Sequence, residues 1–191
     1  EHRRSGLHCE SDCGVESPQK TRKYAEMKKS VLPRLKKIKM LATDVDGVLT
    51  DSGMYYSENG DEMKKFSTRD GMGLVLLRKA GYKLAIITSE DTRIVERRAA
   101  KLKITDLFQG ARDKVAAMEI LMRRHSLTWD ELAYIGDDVN DLEVMKKVGF
   151  AATPADGTDE NKKVAHYITK KNGGGGCVRE ICDLFLSLRK P

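Results

Sequence analysis

Asp44-Val45-Asp46-Gly47-Val48-Leu49-Thr50 closes an apolar run, Ile38-Lys39-Met40-Leu41-Ala42, and its reading decides the fold. The run has the length and composition of a buried strand. Two carboxylates one residue apart at the carboxyl edge of that strand, followed at once by glycine, are costly to hold together. Like charges at this range raise one another's pKa unless a cation neutralises them. The pair therefore reads as a Mg²⁺ site or a catalytic carboxylate couple. The competing reading is an Asp-Gly turn with one carboxylate capping it.

Working outward, strand and helix patterns alternate. Apolar strands are expected at 40–43, 84–88, 107–109, 133–135 and 150–153, with a last short one at 166–169. Helical patterns lie between them at 72–80, 92–102, 114–125, 141–148 and 178–188. Thr128-x-x-Glu131 is a capping box for one more short turn. Strands and helices alternating with short connectors imply a parallel sheet covered on both faces, an α/β doubly wound, Rossmann-like fold. The exception is Tyr55–Phe66, where Asn59-Gly60 between strand formers predicts a β-hairpin standing over the carboxylate pair as a flap.

The net charge of +6 suggests polyanion binding at first, but it is not spread along the chain. Residues 1–40 hold eleven Lys/Arg and five Asp/Glu, and the remaining 151 residues hold twenty-four of each sign. The basic character belongs to an N-terminal extension, set at residues 1–36, with the folded domain at 37–191. Within it, Lys20, Arg22, Lys23, Lys28 and Lys29 read as a solvated helix face or disordered arm. The domain has no basic stripe with interleaved aromatics, so no nucleic-acid partner is expected. Of the four cysteines, Cys9 and Cys13 follow His8 without a second ligand pair at zinc-finger spacing, and Cys177 and Cys182 read as small packing residues. No apolar segment of secretory or membrane-spanning length occurs, so a cytoplasmic protein with reduced thiols and no membrane partner is expected.

Ligands of a doubly wound sheet bind at the carboxyl ends of its strands. Four features fall there: Asp44 and Asp46; Thr88-Ser89-Glu90; Asp113-Lys114 opening a helix; and Gly136-Asp137-Asp138-Val139-Asn140-Asp141. Each is weak alone. Together and in this order they resemble the signature of the haloacid dehalogenase superfamily: Asp-x-Asp-x-x-x-Thr, then Thr or Ser, then Lys, then Gly-Asp-Asp-x-x-x-Asp. The match is Asp44, Asp46 and Thr50; Thr88; Lys114; and Asp137, Asp138 and Asp141. With only a hairpin after the first motif, the chain resembles the capless branch, which includes phosphatases of 2-keto-3-deoxy sugar acids acting on octulosonate 8-phosphates or nonulosonate 9-phosphates.

The resemblance implies a Mg²⁺-dependent phosphatase. Asp44 would be the nucleophile and Asp46 the acid and base. Thr88 and Lys114 would bind phosphate. Asp44, Asp46 (by its carbonyl) and Asp137 would hold the metal, with Asp138 and Asp141 behind them. Substrate choice would involve Arg69, Asp70, Glu90, Arg98 and Lys101. Glu90 followed eleven residues later by Lys101 is similar to the nine-carbon enzymes, since the eight-carbon group carries Arg at the first position. That group also tends to carry an Arg in the glycine-rich tail, where this chain has Gly173–Gly176. The resemblance further implies a homotetramer whose sites are completed by a neighbouring subunit. Two alternatives are a catalytically silent phosphatase-like domain associated with sialic-acid activation and a phospho-receiver module. Retention of Asp44, Asp46, Lys114 and Asp137 argues against the first, and the Gly-Asp-Asp motif after a fourth strand against the second.

Overall fold

The computed structural model describes residues 31–60 and 62–188. The chain runs β1 (Met40–Thr43), β2 (Tyr55–Tyr56), β3 (Glu62–Met63), α1 (Thr68–Lys79), β4 (Lys83–Ile87), α2 (Arg93–Leu102) and β5 (Asp106–Phe108). It continues through α3 (Lys114–His125), β6 (Leu132–Ile135), α4 (Leu142–Lys147), β7 (Phe150–Thr153), α5 (Asp159–Val164), β8 (Tyr167–Ile168) and α6 (Cys177–Ser187). Six strands form one parallel sheet in the order β5-β4-β1-β6-β7-β8. This is the doubly wound α/β fold expected from the alternation.

Alternation along each strand builds two cores. Leu41, Ile86 and Ile135 face one side, packed on Leu74 and Leu77 of α1, Val95 of α2 and Phe185 of α6. Met40, Ile87 and Tyr134 face the other, against Met118 and Leu121 of α3 and Met145 of α4. A sheet buried on both faces needs apolar residues at every position, which is why its strands read as unbroken apolar runs.

The register places β1 between β4 and β6, with Leu41 opposite both Leu84 and Ala133. From β1 the chain winds outward to β4 and β5, and from β6 to β7 and β8. The strand order reverses between β1 and β6, and a crevice opens there at the carboxyl edge.

Some boundaries differ from the sequence reading, each for a physical reason. α1 begins at Thr68, capped by the Ser67 hydroxyl, which accepts from the Asp70 N–H at 3.3 Å. The sequence pattern starts this helix at residue 72; Gly73 lies where it meets α6, and a Cβ there would fall 3.1 Å from the Arg179 Cα. α5, capped by Thr158, has no apolar stripe to announce it. The capping box at Thr128 is present, with both of its bonds.

The hairpin exists, but Tyr56 pairs with Glu62, so its connection is longer than a two-residue Asn-Gly turn. Gly60 donates to the Ser57 carbonyl at 3.0 Å and takes φ 84° at the end of that turn. This ribbon is the whole insertion between β1 and α1.

The packed unit begins upstream of residue 37. Helical backbone at 31–35 places Val31 and Leu35 in the core. His8, Cys9, Cys13 and the basic run from Lys20 to Lys29 lie outside the described residues. Cys177 and Cys182 are buried free thiols within the core, as expected. No helix among the described residues is long and apolar enough to cross a membrane.

Leu35 is fully enclosed. Leu35→Ala should therefore lower the unfolding free energy by about 2–4 kcal/mol in urea titrations. A loss below about 0.5 kcal/mol, the usual range for a surface substitution, would detach the 31–35 helix from the core.

Candidate active site

The switch point assembles the motifs. Asp44 and Asp46 leave β1, Thr88 ends β4, Lys114 opens α3, and Asp137 follows β6. Asp44, Asp46, Thr88 and Asp137 line a cleft of about 300 Å³ together with Glu90, and Lys114 touches Asp44 at its wall. A larger cleft of about 370 Å³, lined by Arg69, Lys171, Arg179 and Glu180, contains none of the motif residues. The chemistry belongs to the smaller one.

Lys114 is the electrostatic centre. Asp113 caps α3 by accepting from the Ala116 N–H at 2.9 Å, which points the next side chain inward. The buried Lys114 Nζ lies 2.9 Å from Asp44 Oδ2 and 2.6 Å from Asp141 Oδ1. Burial pushes its pKa down, but the Asp44 and Asp141 carboxylates outweigh that and hold it above the usual lysine value.

Asp141 is saturated. Its Oδ1 also accepts from the Tyr134 hydroxyl at 2.7 Å, and its Oδ2 from the backbone N–H groups of Asp137 at 3.0 Å and Asp138 at 3.4 Å. Tyr134 was not singled out from the sequence; the available signal was a hydroxyl in a fully buried strand, which requires a partner. Asp138 is exposed and accepts from the Val139 N–H, capping its own turn; Lys114 has its ion pairs with Asp44 and Asp141.

Carboxylates of Asp44, Asp137 and Asp141 each bring an oxygen within 4.8 Å of the others. Burial, then the Asp141 charge, push Asp44 up to about 7 against the pull of Lys114. Burial, then Asp44 and Asp141, raise Asp137 to about 8. Asp137 Oδ1 is buried without a hydrogen-bond partner, and no hydrogen bond reaches the Asp46 carbonyl among the described residues. An orphaned carboxylate oxygen, a free carbonyl and crowded negative charge suit a hard divalent cation with oxygen ligands. Because Asp141 has no lone pair to spare, Asp44, Asp137 and the Asp46 carbonyl make the better ligand set.

Backbone shape permits this crowding. Gly47 has φ 80°, and a Cβ there would fall 1.9 Å from Asp137 Oδ2. Gly173 and Gly174 of the glycine-rich tail press on the loop that follows β1: a Cβ on Gly173 would lie 1.9 Å from the Gly47 carbonyl oxygen, and Gly174 donates to the Val48 carbonyl at 3.0 Å.

The residues expected to govern substrate choice separate within one chain. Glu90 lines the motif cleft. Arg69 lines the larger cleft, and Lys101 is exposed on α2. Asp70 is buried and caps α6 from outside, accepting from the Gly176 N–H at 3.1 Å and the Arg179 N–H at 2.7 Å. Arg98 donates to the Ser67 carbonyl at 2.8 Å and stacks its guanidinium over Phe66. Both are committed to holding α1, α2 and α6 together.

A haloacid dehalogenase-like hydrolase family model matches residues 85–181. The 3-deoxy-D-manno-octulosonate 8-phosphate phosphatase of Escherichia coli (strain K12) is 39% identical over 85% of this chain and 87% of the relative. The chain belongs to the haloacid dehalogenase-like hydrolases. Within this family, the crystal structure of the same phosphatase from Yersinia pestis superimposes with a TM-score of 0.81 at 41% identity, covering 82% of this chain and 85% of that one. The Moraxella catarrhalis enzyme, solved with magnesium ion, phosphate ion and KDO, gives a TM-score of 0.80 at 40% identity over 85% of this chain and 91% of that one. The chain is a phosphoric monoester hydrolase of this family.

The raised carboxyl groups make a pH prediction for this hydrolase. Burial and repulsion between carboxylates raise Asp44 to about 7 and Asp137 to about 8, well above the ordinary carboxylate range. The cation-free folded state therefore binds more protons than the unfolded chain across that interval, and its stability falls as pH rises through it. A cation must displace those protons, so its stabilisation grows with pH. The melting temperature should rise more on adding millimolar divalent cation at about pH 8 than at about pH 6; an equal or smaller rise at the higher pH contradicts the assignment.

Proposed function

We propose that this protein is a Mg²⁺-dependent phosphatase of 2-keto-3-deoxy sugar acid phosphates that works through a phosphorylated Asp44. The observation that carries the reading is the contact of Lys114 with Asp44 beside an unpartnered Asp137 oxygen. The octulosonate 8-phosphate phosphatases at 39–41% identity support the substrate class. Glu90 in the cleft favours a nonulosonate 9-phosphate, because Glu90 with Lys101 eleven residues on resembles the nine-carbon enzymes.

Asp44 attacks phosphorus in line, and its new bond forms as the bond to the sugar oxygen breaks. Asp46 gives that oxygen a proton and later takes one from the water that releases phosphate. Lys114 has three N–H donors; two reach Asp44 and Asp141, leaving the third for a nonbridging oxygen. The Thr88 hydroxyl accepts from the Glu90 N–H at 3.2 Å, so its own proton is available to the phosphoryl group. Asp44, Asp137 and the Asp46 carbonyl would hold Mg²⁺, whose charge would offset the repulsion between an anionic nucleophile and an anionic phosphate.

Phosphate release should be measured with 3-deoxy-octulosonate 8-phosphate and a nonulosonate 9-phosphate, with and without Mg²⁺. One of them should turn over with Mg²⁺ alone, and Asp44→Asn should lower kcat by about 10⁴-fold or more without unfolding the chain. Residual activity within about tenfold of wild type would remove Asp44 as nucleophile.

The open cleft also favours a homotetramer. Tyr55, Tyr56, Met63 and Met54 expose apolar area around the ribbon, which alone is too small to enclose a sugar acid. Light scattering at micromolar concentration should give a multiple of 21.4 kDa near four; a mass near one chain overturns the assembly.

A further inference from the structure

Most of the ribbon is solvated, with Tyr55, Tyr56 and Met63 all exposed. The Lys64 side chain, immediately after β3, is entirely buried. Lysine ordinarily keeps its head in water along such a surface. Here Nζ lies 2.8 Å from Asp46 Oδ2 and 3.6 Å from Glu62 Oε1, which is itself buried without a hydrogen-bond partner. Among the described residues, the other Asp46 oxygen receives only the Thr50 hydroxyl, at 3.4 Å. Thr50 in turn forms an antiparallel bridge with Phe66, two residues beyond Lys64. Both Asp46 oxygens are thus held by residues that fix the ribbon against the catalytic loop. The Lys64 contact is the shorter of the two.

We propose that Lys64 is a positioning residue for Asp46, so that delivery of the proton to the leaving oxygen depends on the ribbon being docked. The proposal rests on the reading of Asp46 as the proton carrier. In the step concerned, the Asp44 carboxylate forms a bond to phosphorus. The bond to the leaving oxygen breaks with its electron pair on that oxygen, and the Asp46 proton goes there. Lys64 gives up no proton; it keeps the donor aimed. Misaiming Asp46 therefore harms esters in proportion to their need for a proton, whereas general loosening of the site slows all esters alike.

Phenyl phosphate and 4-nitrophenyl phosphate separate these cases, since they differ little in size and greatly in leaving group. For Lys64→Met, kcat/KM for phenyl phosphate should fall further than for 4-nitrophenyl phosphate, raising the ratio of the 4-nitrophenyl to the phenyl value about tenfold or more over wild type. Lys64→Arg, which keeps a cation at altered reach, should restore part of the ratio. An unchanged ratio, whether both values fall together or neither falls, overturns the proposal. Should circular dichroism show that Lys64→Met does not fold, Lys64→Gln carries the same comparison under the same criteria. A wild-type protein that releases phosphate from neither the aryl esters nor a 2-keto-3-deoxy sugar acid phosphate overturns the proposed mechanism and this proposal with it. An active wild type with an unchanged variant ratio removes Lys64 alone.

Discussion

Negative charge has to be concentrated at the carboxyl edge of β1 and β6, and the rest of the molecule follows from how that is managed. Asp44, Asp137 and Asp141 converge within 4.8 Å, with Lys114 in contact with two of them. Two like charges about 4 Å apart repel by roughly 4 kcal/mol at an effective dielectric of about 20, so one ammonium leaves the cluster unbalanced. The folded chain responds by drawing protons onto Asp44 and Asp137. That imbalance makes the site receptive to a cation and then to a phosphate.

Holding the cluster together demands a rigid support. Parallel strands with both faces buried fix the backbone from which the carboxylates project. Gly47 removes the Cβ that would strike Asp137, and Gly173 and Gly174 let the tail lie directly on the loop backbone. Asp70, buried three elements away, caps α6 and so secures that tail. The site is thereby tied to both ends of the sheet and to the ribbon through Asp46 and Lys64.

Much of this was legible in the sequence for identifiable reasons. Unbroken apolar runs reported a doubly buried sheet, and Asp44, Asp46, Thr88, Lys114 and Asp137 all fall at strand or helix ends, where local pattern fixes position. Contacts across long sequence distances were not legible. Asp70 and Arg98 were expected to take part in substrate choice, and nothing local announces that Asp70 also caps α6 or that Arg98 stacks over Phe66. Lys64 and Tyr134 carried no motif; only tertiary packing brings them to Asp46 and Asp141. The helical pattern was read from Met72, four residues inside α1; the close approach of α6 at Gly73 is another contact that no local signal announces.

The central claim is that phosphorus passes from the ester to Asp44 and then to water. The stereochemical course at phosphorus tests it most directly, using a phosphate ester made chiral with oxygen isotopes and an alcohol acceptor in place of water. Two successive in-line displacements predict overall retention of configuration. Inversion would mean a single direct displacement, and the account of Asp44 as nucleophile would be wrong.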